Sequence, residues 1–99
     1  MVQEAVRVVN VTLTDNAIEP RTILVPADFP IRFVVRNTGA CQHQLAAEGI
    51  PEFSIDLLPG QTRMVTFTFV SLGQFPLVSK FDDDAQHGLR GELIIQTLI

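Results

Sequence analysis

The chain has 99 residues, which suffices for one hydrophobic core but not for two lobes, so a single domain over residues 1–99 is predicted. Hydrophobic residues make up 46% and charged residues 18%, a composition too apolar for a disordered segment. No apolar run reaches the about 18 residues that a transmembrane helix needs. The formal net charge of −4 disfavours nucleic acid as a partner. We therefore expect a globular domain that neither inserts into a membrane nor binds nucleic acid.

Apolar and polar residues alternate along much of the chain, with the period of a β-strand that buries one face. The runs with this pattern, or rich in residues that favour strands, are in chain order 6–13, 22–25, 31–36, 64–70, 75–79 and 92–97. Turn residues separate them, and the only segment with helical character, 44–48, is too short to be stable alone. The residues thus predict six or seven strands in an antiparallel or mixed β-sandwich or small barrel.

The alternation also assigns one face of each strand to the core. The residues on these faces are Phe33, Val35, Val65, Phe67, Phe69, Leu77, Leu93 and Ile95. A register shift of one residue would turn such a set towards solvent, so we expect no more than one of the eight to be exposed.

Cys41 is the only cysteine, which excludes an internal disulfide and every four-cysteine metal site. Cys41 and His43 are two residues apart, so in an extended backbone both side chains point to the same side and could approach one ion. The alternative is that Cys41 is a small buried residue and His43 a hydrogen-bonded residue at a strand edge. No orienting partner or oxyanion-hole motif accompanies the pair, so we do not expect an enzyme.

The segment between the last two predicted strands holds His87 and the acidic triplet Asp82–Asp84. His87 is either a solvent-exposed loop histidine beside Gly88 or a second metal ligand. The triplet lacks the alternating spacing and the later glutamate of an EF-hand loop. It is therefore interpreted as a solvated turn, and calcium is not expected.

The order of motifs resembles the cupredoxin family over nearly the whole chain. In that family a strand ends in Asn-x-Gly shortly before the first copper-binding histidine, and Asn37 and Gly39 precede His43 in the same way. A Pro-Gly turn with a following threonine comes next. Pro59, Gly60 and Thr62 match this turn. The later positions that match the family's framework are Gly73, Phe75, Leu77, Gly88 and Gly91. The resemblance implies an all-β, Greek-key β-sandwich of about seven strands.

Two positions depart from the family pattern. Ser79 stands where the copper-binding cysteine belongs, and Leu89 where the axial methionine belongs. A blue-copper centre needs a thiolate and two imidazoles, so the standard electron-transfer site is predicted to be absent. Ser79, Asp83 and His87 also repeat the step of four found in the dinuclear copper domain of cytochrome oxidase subunit II, but without either thiol.

The resemblance implies that His43 is the first metal ligand and that His87 lies in the loop that carries the second. Cys41, or one carboxylate of Asp82–Asp84, is the predicted third ligand. Such a set suits copper, or zinc, without the blue-copper spectrum. The alternative is a metal-free structural or interaction domain that keeps the fold and binds no cofactor. A third hypothesis, residual electron transfer, would need Cys41 to supply the sulfur.

The residues 1–4 are acidic rather than basic and have no apolar core segment, so no secretory signal is expected in this sequence. The resemblance nevertheless implies an extracytoplasmic location, in the periplasm or at the cell surface, with the cytoplasm as the alternative. It also implies a redox or metal-trafficking protein as the partner.

Overall fold

The computed structural model describes residues 7–80 and 87–97. In these residues the strands are β1 (Arg7–Leu13), β2 (Ile18–Glu19), β3 (Thr22–Pro26), β4 (Pro30–Asn37), β5 (His43–Ala47), β6 (Ile50–Leu57), β7 (Thr62–Thr68), β8 (Gly73–Val78) and β9 (Arg90–Gln96). The same ranges contain no helix long and apolar enough to cross a membrane. The all-β class predicted from the sequence is confirmed.

The strands form two sheets that pack face to face. One sheet has four strands in the order β2-β1-β4-β7, and the other has five in the order β3-β9-β8-β5-β6. Each sheet combines antiparallel pairs with one parallel pair, β1 with β4 and β3 with β9. Along the chain from β2 to β5, successive strands lie in opposite sheets. The loops that join these strands therefore cross between the sheets at the ends of the sandwich.

The core lies between the sheets, where the period-two pattern predicted it. Six of the eight predicted core residues are buried, and the remaining two, Val65 and Phe67, are partly buried and pack against the core. None of the eight is exposed, so the predicted face assignments are confirmed. β4 supplies the centre of one sheet, with Ile31, Phe33 and Val35 all 0% exposed.

Four phenylalanines stack at the centre of the core. The ring of Phe53, from β6, lies 4.9 Å from that of Phe33, 5.4 Å from that of Phe67 and 5.3 Å from that of Phe69. These tilted and edge-to-face arrangements suit the aromatic quadrupole and stabilise each pair by about 0.5–1.5 kcal/mol beyond area burial. Phe53 therefore connects the five-stranded sheet to the aromatic side chains of the four-stranded one.

Three of the nine strands in the described residues, β2, β5 and β6, were not predicted from the sequence. The segment 44–48, considered for a helical turn, lies largely in β5, whose residues Leu45, Ala46 and Ala47 are all buried. A strand buried on both sides loses the period-two signal, which explains the error. β6 was missed although Phe53, Ile55 and Leu57 alternate with polar residues.

We predict that Phe53→Ala lowers the free energy of unfolding by about 3–5 kcal/mol, because it removes a buried ring and leaves a cavity among three others. Chemical denaturation measures this loss. Val70→Ala is the control, since Val70 is 79% exposed and its truncation should change stability by less than about 0.5 kcal/mol. Equal, small losses in both variants would contradict the assigned core.

Candidate metal centre

In the described ranges, three polar residues are buried, and all three lie at one end of the sandwich, here called the loop end. They are Asn37, His43 and Ser79, with exposed fractions of 0%, 1% and 2%. Asn37 ends β4, His43 begins β5 and Ser79 directly follows β8. Buried polar groups need hydrogen-bond partners, so their bonds define the chemistry of this end.

Asn37 fastens the loop between β4 and β5. Its Nδ2 donates to the carbonyl of Cys41 at 2.8 Å and to that of Leu57 at 3.1 Å, while its Oδ1 accepts from the N–H of Gly39 at 2.9 Å. Leu57 is the residue that pairs with His43 across β5 and β6. The Asn-x-Gly motif therefore ties the loop to the strand that positions the histidine.

His43 is held by a carboxylate from another loop. Its Nε2 lies 2.7 Å from Oδ1 of Asp15, which follows β1, and the side-chain exposures are 1% for His43 and 41% for Asp15. The same carboxylate accepts hydrogen bonds from the N–H of Ala40 at 3.0 Å and from the N–H of Cys41 at 3.3 Å. Asp15 thus fixes both the imidazole and the loop before it.

The bonds to Asp15 favour its ionised form. The backbone N–H of Ala40 is the main cause that lowers the pKa of Asp15 below its ordinary value of 3.8, and the imidazole of His43 lowers it further. Gly39 is part of this arrangement, because a Cβ there would collide with the Asp15 carboxylate. Sequence reasoning missed Asp15, because it is 28 residues from His43 along the chain.

Ser79 and Leu89 lie at the same end. The hydroxyl Oγ of Ser79 accepts a hydrogen bond from the N–H of Gln44, the residue after His43, at 2.9 Å. The N–H of Ser79 donates to the carbonyl of Leu89 at 3.3 Å, and the Leu89 side chain is 0% exposed. The regular pairing of β5 with β8 ends at Ala46 and Val78, so the Ser79 side chain continues the link between these strands.

The other predicted ligands have different surroundings. Cys41 is exposed and lies in a bend, so the extended backbone assumed for the Cys41–His43 spacing is not present, and the alternative of a buried Cys41 is wrong. His87 is exposed in the turn before Gly88. Gly88 packs so closely on the carbonyl of Asn16 that a Cβ would collide with it.

Gly88 and Asn16 are the chain neighbours of His87 and Asp15. Their contact therefore brings the His87 turn to the loop that holds His43. The acidic triplet Asp82–Asp84 lies outside the described residues. Within residues 7–80 and 87–97, no group of three or more histidine, cysteine, aspartate or glutamate side chains is arranged to hold a metal ion.

Comparison with known proteins identifies relatives at the level of the fold. The profile of the cupredoxin-like domain matches residues 2–95. Auracyanin B superposes with a TM-score of 0.78 at 16% identity, over 97% of this chain and 93% of its own. Dithionite-reduced auracyanin from Roseiflexus castenholzii gives a TM-score of 0.77 at 19% identity, over 93% and 98%.

The periplasmic domain of cytochrome oxidase subunit II from Bradyrhizobium japonicum is a third neighbour. Its TM-score is 0.73 at 17% identity, over 98% of this chain and 88% of its own. No curated protein sequence matches the chain. At these identities the neighbours establish the fold, and the chemistry of the loop end depends on this chain's own residues.

We predict that the ionised carboxylate of Asp15 stabilises the fold at neutral pH. Because the folded state lowers its pKa, this contribution is present above the ordinary value of 3.8 and disappears as the pH falls through the lower, folded value. Denaturation at a series of pH values should show that Asp15→Asn is less stable than wild type at neutral pH, and that the difference shrinks in acid.

The control for this experiment is Asp28→Asn, which removes an exposed carboxylate from the loop between β3 and β4, at the opposite end of the sandwich. A stability difference between wild type and Asp15→Asn that stays constant through the acid range would contradict the role assigned to the Asp15 carboxylate.

Proposed function

Because the chain belongs to the family of cupredoxin-like domains, we propose that it binds copper at the loop end through a site unlike that of blue-copper proteins. The proposal depends on one observation above all, the buried imidazole of His43 held by the Asp15 carboxylate at 2.7 Å. A histidine that binds a metal through one ring nitrogen usually donates the other N–H to a carboxylate or carbonyl, which fixes its tautomer and orientation.

The Asp15 contact selects the nitrogen that would bind the metal. When Asp15 accepts the Nε2 proton of a neutral imidazole, Nδ1 is the unprotonated nitrogen and carries the lone pair. A carboxylate on the opposite nitrogen also makes the ring a stronger ligand. His43 Nδ1 is therefore the first ligand that we propose.

The residues at the loop end do not fit a blue-copper centre. Ser79 offers a hydroxyl, which is not ionised near neutral pH and here accepts the N–H of Gln44. Leu89 offers no donor atom. Without a thiolate and a thioether at these two positions, the remaining donors are the imidazoles of His43 and His87 with the Cys41 thiol or a carboxylate, a set that suits copper or zinc outside a blue-copper geometry.

His87 is the second ligand in this proposal. Its support is the packing of Gly88 on Asn16, beside the carboxylate that holds His43. The exposed thiol of Cys41, whose N–H is bonded to Asp15, is the proposed third donor. We propose binding rather than catalysis as the function, and a redox or metal-trafficking protein as the partner.

An extracytoplasmic location is part of the same proposal. One structural neighbour is described as a periplasmic domain. A copper-binding domain in that compartment would meet its metal and its partner outside the cytoplasm.

A second candidate function is that of a metal-free structural domain. This candidate is favoured because Ser79 and Leu89, which stand at the positions of two copper ligands in the family pattern, both contribute to the fold. Ser79 links β8 to β5, and Leu89 is completely buried. Elemental analysis of protein purified without added metal separates the two candidates, because only the copper-binding domain should carry copper or zinc near one equivalent.

We predict that titration of the metal-free protein with Cu(II) gives one site, and that His87→Ala weakens it by more than about tenfold. His87 is exposed, so this variant should fold normally. His43→Ala should remove the site, and Asn10→Ala, an exposed control on β1, should leave the affinity unchanged. Unchanged affinity in both histidine variants would exclude the site.

We also predict that one substitution restores the missing thiolate. In a Cys41→Ser background, Ser79→Cys should give an intense visible charge-transfer band on addition of Cu(II). The reason is that the side chain at position 79 contacts the N–H of Gln44, which directly follows His43. The Cys41→Ser protein alone should show no such band. No band in the Ser79→Cys protein, or an equal band in the Cys41→Ser protein alone, would contradict this prediction. A band in wild type that disappears in Cys41→Ser would instead assign the third ligand to the Cys41 thiolate.

A further inference from the structure

Each sheet has two edge strands, and three of the four edges carry features that hinder pairing with another chain. β2 has only two residues and is followed by Pro20. β3 ends at Pro26, and the carbonyl of its Leu24 accepts a hydrogen bond from Nη1 of Arg7 at 2.8 Å. These two edges are therefore short or already capped.

β6, the other edge of the five-stranded sheet, is protected by proline and charge. Pro51 lies near its start, and Glu52 and Asp56 add two negative charges on its exposed positions. The carbonyl of Asp56 also accepts a hydrogen bond from Nη1 of Arg63 at 3.2 Å. Two copies that paired along β6 would bring these carboxylates together.

β7 differs from the other three edges. Its seven residues, TRMVTFT, contain no proline, no lysine and no carboxylate. One side of the strand pairs with β4 over its whole length, and within residues 7–80 and 87–97 no strand pairs with its other side. Met64 is 70% exposed on its outer face. Such an edge presents unpaired backbone groups to a second strand.

We propose that β7 is a self-association surface, and that a second copy of this chain pairs with it antiparallel across a twofold axis. The two four-stranded sheets then form one continuous sheet of eight strands. Because the pairing is antiparallel, the two loop ends point in opposite directions. The candidate metal centres of both copies therefore stay accessible.

The strand is self-complementary when the twofold axis passes through Val65. Thr62 then faces Thr68 of the second copy, and the residues between them pair in the same way. All seven residues of each strand are paired, and every side chain meets one from the same face of the sheet. On the outer face, Met64 lies opposite Thr66 of the second copy. On the inner face, Val65 meets Val65.

The charges agree with this register. Arg63 lies opposite Phe67 of the second copy, where a guanidinium and an aromatic face attract each other. No like charges oppose each other, whereas a twofold axis through Arg63 would place two guanidinium groups together. The net charge of −4 is carried elsewhere, since β7 itself has a charge of +1 from Arg63.

An interface of one strand from each copy is small, below the about 1,200 Å² of a standard protein–protein interface. We therefore expect reversible association that depends on concentration. Sedimentation velocity over a broad range of protein concentrations should show a shift from monomer to dimer, and no species larger than a dimer, because the twofold pairing occupies the β7 edge of both copies.

Two double variants test the register. Met64→Lys with Thr66→Lys places lysine opposite lysine twice and should weaken dimerisation by about tenfold or more. Met64→Lys with Thr66→Glu places lysine opposite glutamate twice and should strengthen dimerisation by about tenfold. Both positions are exposed, so thermal unfolding should show a folded monomer in each case.

The matched control is Asn10→Lys with Gln74→Lys, which adds the same charge as the first variant at exposed positions away from β7. It should dimerise like wild type. A wild-type protein that stays monomeric at every concentration overturns the proposal. So does a dimer that responds equally to the two β7 variants, since its interface would then lie elsewhere.

Discussion

The contact between Asp15 and His43 is the constraint on which the loop end depends. An imidazole that is 1% exposed needs a polar partner, and the carboxylate provides it at 2.7 Å. The same carboxylate accepts two backbone N–H groups of the β4–β5 loop, so the loop and the ring are fixed together. Gly39 is required because no side chain fits between the loop and Asp15. The ionised form of Asp15 therefore contributes to both fold and site.

The loop end also shows how the cupredoxin-like fold is held together without the residues of a blue-copper centre. In a blue-copper centre a thiolate completes the metal site, whereas here the Ser79 hydroxyl accepts the N–H of Gln44 and links β8 to β5. The Leu89 side chain is completely buried at the same end of the sandwich and offers no donor atom. The framework is thus maintained by a hydrogen bond and a buried side chain, and the histidine with its carboxylate is the part that still suits a metal.

The sequence predicted the parts of the structure that depend on local pattern. β4 and the segment 64–70 alternate clearly because one face of each packs against the core, and so Phe33, Val35 and Phe69 were assigned correctly to the core. β5 was missed because it is buried on both faces. Asp15 could not be found, since its role arises from the meeting of two loops 28 residues apart. The bend at Cys41 likewise depends on the Asn37 and Asp15 bonds, which no two-residue spacing reveals.

The imidazole nitrogen shifts of His43, measured by NMR in the metal-free protein at neutral pH and again after addition of Zn(II), test the central claim most directly. We expect a ring that carries a proton at Nε2, as the bond to the Asp15 carboxylate requires, and a change at Nδ1 when zinc is added. In Asp15→Asn the preference for this tautomer should weaken. A ring protonated at Nδ1, or nitrogen shifts that zinc leaves unchanged, would contradict a metal site built on His43.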